Sequence, residues 1–436
     1  MTSEHPTFGE SVRVFARIGL LSFGGPAGQI ALMHDELVEK HRWIEEPQFL
    51  HALNFCHLLP GPEAQQLATY IGWRLHGLRG GLMAGTLFLL PGVAIIMALS
   101  MLYVAAAGLD WFAALFLGIK AAVLAVVVQA LIRIAGRALD TAFKRALAAI
   151  AFVALALFDL PFPLVVLGAG LAGWLAANWR PGWLALKAGG QGEDATPRPS
   201  IAATLRTIAA WGAIWALPLV AIWATLGDDH VLMQIGLFFS QLAVVTFGGA
   251  YAVLAYMAQQ AVQGFGWLSA GEMADGLGLA ETTPGPLILV TQFVGFLAAY
   301  RDAAPFTPLV AGLLGALLTI WVTFAPCFLW IFTFAPWIDR LQHARRLKGA
   351  LAAITASVVG VIANLSLWFA LHVIFTRVEE RELGPLRFDW PDSGSIDGLA
   401  LALAVWAAVH LLVLKRSVVE VLGVAAALGL VVSMFI

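Results

Sequence analysis

The sequence predicts an all-α polytopic membrane protein: two inverted-topology repeats of about six hydrophobic units each, joined by one extra span. Three observations carry that prediction. They are a membrane composition, a pair of phrases that recurs at a fixed distance, and a reversal of loop charge between the two copies. Of 436 residues, 60% are hydrophobic and 12% charged, against about 25% charged in a soluble domain. Apolar runs near 81–107, 111–132, 142–158, 205–226, 307–334, 349–373, 397–414 and 417–436 mostly approach or exceed the ~20 residues that cross a bilayer. The 43 Gly and 16 Trp suit close helix packing and interfacial anchoring. A net charge of −2 offers nothing to nucleic acid.

The phrases define the repeat. Phe23-Gly24-Gly25 leads to Pro60-Gly61-Pro62, and Phe247-Gly248-Gly249 leads to Pro284-Gly285-Pro286. The Phe-to-Pro distance is 37 residues in both, and Trp43 and Trp267 keep the same offset of 224. Further on, Pro91 matches Pro326, Lys120 matches Thr355 and Gln129 matches Asn364, at an offset of 235. Each copy therefore reads as six segments, a to f. Segment a carries FGG, segment b carries PGP, and c to f are plainer spans. The expected domains are a first repeat over 1–179, a cytoplasmic linker plus connecting span over 180–230, and a second repeat over 231–436.

Loop charge sets the orientation. The d–e loop of the first copy holds Arg133, Arg137, Lys144 and Arg145 and should be cytoplasmic. Its counterpart, about 374–397, mixes Arg377, Arg381 and Arg387 with Glu379, Glu380, Glu382, Asp389, Asp392 and Asp397, and reads as external. The e–f turns reverse too, with Asp159 in one copy and Lys415-Arg416 in the other. So do the c–d loops, with Asp110 in one and Arg340, Arg345, Arg346 and Lys348 in the other. The odd span at 205–226 permits the inversion and brings the expected count to about 13, with an internal N-terminus. Segments a and b either cross with a central break or dip in and return.

The phrases break helices. Proline removes a backbone donor and glycine permits irregular dihedrals. Such breaks persist in a bilayer only inside protein or beside a wet cavity. Each break also offers a half-helix N-terminus to an anion. Four breaks related by inversion should meet near the midplane, which points to a transport site. Lys120 lies near the middle of an otherwise uncharged run. It would face an anionic substrate or form an ion pair, with Glu63 or Glu281 as candidates. His57 and Glu281 match at offset 224, each one turn before its PGP phrase. They are candidates for proton coupling or a polar lining. Glu63, just after PGP, would carry protons or simply complement a helix N-terminus. Thr282, Thr283, Gln29 and Asn54 are hydrogen-bonding candidates, as are Gln65, Gln66 and Gln292. Cys56 and Cys327 read as small buried hydrophobes. No Walker phrase occurs, and His34-Asp35-Glu36-Leu37-Val38-Glu39-Lys40-His41 lacks HExxH spacing, so no nucleotide, metal or other cofactor is expected.

The run Phe23-Gly24-Gly25-Pro26-Ala27-Gly28-Gln29-Ile30-Ala31, the Trp43 segment and Leu59-Pro60-Gly61-Pro62 resemble the N-terminal signature of the chromate ion transporter (CHR) family. Phe247-Gly248-Gly249-Ala250-Tyr251, Trp267 and Thr283-Pro284-Gly285-Pro286-Leu287 resemble it again in the second half. The resemblance implies a long-chain, two-domain secondary transporter of the inner membrane, not an enzyme. It implies export of chromate driven by the proton gradient, with sulfate as the close analogue. A passive anion channel, uptake of sulfate-like oxyanions, and less readily a membrane-embedded enzyme are the alternatives. The implied partners are the oxyanion, protons and lipid, and a homodimer is left open. The family often has Gln where this chain has His57 and Glu281.

Overall fold

The computed structural model describes residues 6–23, 25–106, 108–185, 199–247, 250–384 and 386–433. Helices dominate. The first copy contains α1 (Phe8–Leu21), α2 (Gly25–His34), α3 (Glu46–Cys56), α4 (Glu63–Ala106), α5 (Asp110–Ala138), α6 (Ala142–Ala156) and α7 (Phe162–Trp179). The connecting span is α8 (Ile201–Leu226). The second copy contains α9 (Val231–Val245), α10 (Ala250–Gln259), α11 (Ala270–Thr282), α12 (Val290–Arg301), α13 (Pro308–Phe334), α14 (Ile338–His343), α15 (Arg345–Ile374), α16 (Gly398–Ala408) and α17 (Val418–Ser433).

The bounds of α1, α2 and α3 recur as α9, α10 and α11 at the offset of 224, within two residues. A π-helical turn extends α2 over Asp35–Lys40, and another extends α10 over Gln260–Gly264. Each turn is followed by one positive φ, 54° at Arg42 and 64° at Gly266. The Trp43 amide then bonds to Leu37 at 2.9 Å, and the Trp267 amide bonds to Ala261 at 2.8 Å. One local sequence grammar has folded the same way twice.

Among the described residues, six helices are long and apolar enough to cross a membrane: α4, α5, α7, α8, α13 with its C-terminal turn, and α15. This is a multi-pass integral membrane protein. Shorter apolar helices fill much of the rest. α4 is two helical arms hinged at His76 and Gly77, where φ is −138° and 61°. The first arm therefore belongs to segment b and the second to segment c. Only glycine takes that second dihedral without strain.

The chain forms two compact units that cut across the two sequence copies. The first comprises Met1–Ser100, Ala188–Ala250 and Thr283–Ala344. Within it α13 packs on α8, α9 and α12. No residue of α8 is buried, and Leu205, Leu217, Val220 and Trp223 are exposed. An apolar face of that size suits lipid.

The second unit comprises Met101–Lys187, Tyr251–Thr282 and Arg345–Ile436. Here α5 packs on α16 and α17, while α15 packs on α6 and α7. Each segment-d helix thus lies against segments e and f of the other copy. The crossings are backbone-close: a Cβ built on Gly173 would lie 2.3 Å from the Gly349 carbonyl, and one on Gly429 would lie 2.3 Å from the Ala114 carbonyl. Small residues let transmembrane helices approach this closely.

The two ends of this unit differ in charge. At one end Thr141 bonds to the Trp183 carbonyl at 2.5 Å and Arg346 to Asn178 at 3.0 Å. These contacts gather the basic d–e loop of the first copy, the Arg180 segment and the Arg345–Lys348 stretch. At the other end the 374–397 segment is an antiparallel hairpin, β1 (Val378–Leu383) and β2 (Leu386–Pro391). Its Arg387 amide bonds to the Leu157 carbonyl at 2.9 Å, beside Asp159. The hairpin departs from the plain loop expected there. Val378 to Leu383 places exposed charges between apolar ends, and two short strands satisfy each other's backbone groups outside the bilayer.

Candidate functional site

Each phrase separates two helical segments of 10 to 15 residues, the first arm of α4 (Glu63 to Leu75) counting as one. FGG stands between α1 and α2 and between α9 and α10, and PGP stands between α3 and α4 and between α11 and α12. At 1.5 Å per residue such helices reach about 15–22 Å, short of the ~30 Å hydrocarbon core. They are half-helices: α4 and α10 begin directly after a phrase, α2 begins on the last glycine of the first FGG, and α12 follows the second PGP through one 3-10 turn over Leu287–Leu289.

In the first unit the phrases dock reciprocally. The Gly61 amide of the first PGP bonds to the Thr246 carbonyl at 2.9 Å, just before the second FGG. The Gly285 amide of the second PGP bonds to the Ser22 carbonyl at 2.9 Å, just before the first FGG. The four residues form two matched pairs, since 61 and 285, and 22 and 246, each differ by 224. Ser22 also receives the Gly285 amide on its hydroxyl at 3.1 Å. Gly61 has φ 118° and Gly285 has φ 96°, a region closed to side-chain-bearing residues without strain. That dihedral turns the amide toward the opposite copy. Pro60 and Pro284 have no N–H to offer, so glycine supplies the only donor at the centre of each phrase.

Glutamines clamp this arrangement. Gln29 Nε2 donates to the Gly285 carbonyl at 2.6 Å and to the Ser22 carbonyl at 3.3 Å. Gln66 Nε2 donates to the Pro60 carbonyl at 2.6 Å, and Gln292 Nε2 to the Val93 carbonyl at 3.0 Å. A carbonyl partner requires the amide nitrogen, so these three orientations are fixed by chemistry. Their Oε1 atoms are buried without a hydrogen-bond partner. Such acceptors suit hydrogens carried by water or by a protonated ligand. The Gln29 donors are already occupied by the scaffold.

The other expected residues fall in distinct settings. Phe23 is exposed, while Gly25 (φ 70°) and Pro26 open α2. Gly24, Gly248 and Gly249 lie outside the described residues, and Phe247 directly precedes them. Asn54 is exposed on α3, and Pro62, Thr283, Pro284 and Pro286 are buried. His57 is half-exposed, with Nδ1 3.8 Å from Glu63 Oε1. This brings two candidates for proton handling within ion-pair range.

In the second unit Glu281 accepts a hydrogen bond from the Tyr251 hydroxyl at 2.7 Å. The Thr282 hydroxyl turns back onto the Gly278 and Leu279 carbonyls. Lys120 finds an ion-pair partner, but it is Asp275, at 3.3 Å from Nζ to Oδ1. That replaces the Glu63 or Glu281 expected from their places beside PGP. Tyr103 donates to the other Asp275 oxygen at 2.7 Å. Sequence reasoning missed Asp275, although it is the carboxylate nearest the middle of α11. It also missed Ser22 and Thr246, whose signal was a hydroxyl residue immediately before each FGG. Among the described residues, no group of three or more His, Cys, Asp or Glu side chains could hold a metal ion.

Comparison with known proteins agrees in one direction. The family model for the chromate transporter matches residues 9–174 and 233–430. The chromate transport protein of Pseudomonas aeruginosa is 32% identical over 377 residues, covering 85% of this chain and 82% of that one. The chromate transport protein of Cupriavidus metallidurans is 28% identical, with 82% and 81% covered. A probable chromate transport protein of Synechococcus elongatus is 27% identical, with 83% and 84% covered. No solved structure matches the chain significantly.

Proposed function

The chain belongs to the chromate transporter family, and from that premise we propose that it exports chromate across the inner membrane as a secondary transporter. The observation that carries the reading is the reciprocal docking of the two PGP glycines onto the residues before the opposite FGG phrases. It supports an inverted pair of repeats whose broken segments share one site. The half-helix N-termini that open α2, α4 and α10, and the turn that leads into α12, would present amides to an oxyanion. Lys120, in the second unit, is a separate candidate contact for the anion.

Energetics favour the outward direction. Moving one charge through a 100 mV potential is worth about 2.3 kcal/mol. A dianion leaving an inside-negative cell therefore gains about 5 kcal/mol from the electrical part of the proton gradient. His57 with Glu63, and Glu281 with Tyr251, are the groups through which protons would enter the cycle. Sulfate, a tetrahedral dianion of similar shape, is the competing substrate.

The test is flux in proteoliposomes, comparing labelled chromate with sulfate, with and without an imposed pH gradient. Saturable chromate flux that responds to the gradient supports the proposal. Flux that ignores the gradient identifies a passive channel, and no flux of either anion overturns the reading.

A further inference from the structure

Three charged or polar groups converge in the second unit away from the phrases. Lys120 comes from the first half of α5, Asp275 from α11 and Tyr103 from the end of α4. Lys120 Nζ is 3.3 Å from Asp275 Oδ1, and the Tyr103 hydroxyl is 2.7 Å from Oδ2. The carboxylate side chain is 5% exposed and the Lys120 side chain 25%. Asp275 is thus enclosed, while Lys120 is partly exposed. Apart from Lys120, Oδ1 has no hydrogen-bond partner, so the pair rests on a charge contact more than on a network. Breaking such a pair from one side leaves a buried charge, which is costly. The partner that leaves must be replaced.

We infer that Lys120 and Asp275 form a charge switch in which an oxyanion and a proton replace each other's partner, so that the two bind together. In the empty state Lys120 and Asp275 neutralise each other. An oxyanion arriving at the Lys120 ammonium competes with the carboxylate. A proton from the same aqueous side then adds to an Asp275 oxygen and yields a neutral carboxylic acid that still accepts from Tyr103. The Lys120 ammonium transfers its attraction to the anion. On release the anion leaves, the acid returns its proton to water, and the ion pair re-forms.

The sign of the coupling follows. Each ligand favours the state that the other needs, so by linkage each must raise the other's affinity. That is the signature of co-transport, whereas exchange would require the two to exclude one another. A dianion accompanied by one proton carries a net charge of −1, so the membrane potential still drives it outward with half the earlier gain, about 2.3 kcal/mol per 100 mV, while an acidic outside opposes it. The inference rests on the transport reading above and specifies how it is coupled.

The groups acting electrostatically on Asp275 are Lys120, Tyr103 and Glu272. Glu272 lies on the same helix, in a capping box with Ser269. α5, α15 and α17 pack on α11. The other charged residues of α5 are Asp110, Arg133 and Arg137. Those of α15 are Arg345, Arg346, Lys348 and the titratable His372, and α17 has Glu420. All of these lie toward helix ends. The matching position to Lys120 is Thr355, and the matching position to Asp275 is His51. The repeat-related pair of positions, Thr355 and His51, therefore cannot form the same Lys–Asp ion pair.

The test uses the purified full-length protein and labelled chromate in equilibrium dialysis near pH 7.5 and pH 9, where free chromate is the dianion and carries no proton of its own. It also uses proton uptake measured with an indicator dye in weak buffer against a protein-free blank. The wild type should bind chromate more tightly at the lower pH, by up to about tenfold per pH unit. It should take up about one proton per chromate beyond the blank. Asp275→Asn, with the competitor removed, should bind with an affinity that no longer changes with pH. Proton uptake indistinguishable from the blank, proton release, or a wild-type pH slope in Asp275→Asn would overturn the switch. The wild-type uptake measurement decides the matter even if the variant fails to fold. Chromate binding absent from the wild type at both pH values would instead overturn the transport reading, and the switch with it.

Discussion

Replacing Gly285 by Ala tests the reciprocal docking at its most demanding point. The residue has φ 96°, outside the small left-handed region that other residues visit. A Cβ there would lie 3.0 Å from Leu289 Cδ1, the movable end of a side chain, so steric contact is the lesser problem. Holding Ala in this backbone conformation costs about 1–3 kcal/mol. If the backbone relaxes instead, the Gly285 amide leaves Ser22, and the Gly285 carbonyl leaves Gln29. Each buried group left unpaired costs about 1–3 kcal/mol. The variant should therefore lose about 2–4 kcal/mol, or several degrees in thermal midpoint, by tryptophan fluorescence in detergent. Chromate flux should fall with it. Gly423→Ala is the control, because a Cβ there meets nothing within 4 Å and Ala favours a helix. A Gly285→Ala protein with wild-type midpoint and flux would refute the docking argument.

Other substitutions probe separate links. Gln29→Leu keeps the volume but removes the donor to Gly285 and Ser22. It should cost about 1–3 kcal/mol in thermal stability, and an unchanged midpoint would show that the clamp is not needed. Asp389 on β2 has its carboxyl raised above the usual range by burial, with Asp159 adding to the shift and His372 opposing it. A folded value above the unfolded one means that stability is lost as pH rises through the folded value. Asp389→Asn should thus be the more stable protein near pH 8 and lose that advantage near pH 4, which thermal midpoints at the two pH values will check. Both native cysteines, Cys56 and Cys327, are buried, so single introduced cysteines can report sidedness. In intact cells an impermeant thiol reagent should label Gly394→Cys and spare Gly136→Cys. Labelling of both from one side would contradict the expected orientation.

Much of the site was legible because it is written in residues with strong backbone consequences. FGG and PGP marked where helices stop, and each does divide two half-helices. Loop charge sorted the segments that gather at the two ends of the second unit, because Lys and Arg are costly to move across a bilayer. Partners were harder to read. Asp275 is six residues before Glu281, almost two helical turns, and nothing in spacing alone tells which carboxylate meets Lys120. Only the packing of α11 on α5 decides that. The roles of Gln29 and Gln66 were similarly hidden, since a glutamine reads the same whether it holds a ligand or a backbone carbonyl. The hairpin at 378–391 escaped because its apolar alternation is weak and its stability comes from pairing within a connecting segment.

If one alternating site carries the oxyanion, trans-acceleration measures it directly. Proteoliposomes loaded with labelled chromate are diluted into buffer with or without unlabelled chromate, and the initial efflux rate is recorded. A carrier that returns faster loaded than empty should release label faster into chromate-containing buffer. Label leaving at the same rate into both buffers, or not leaving at all, would contradict the claim.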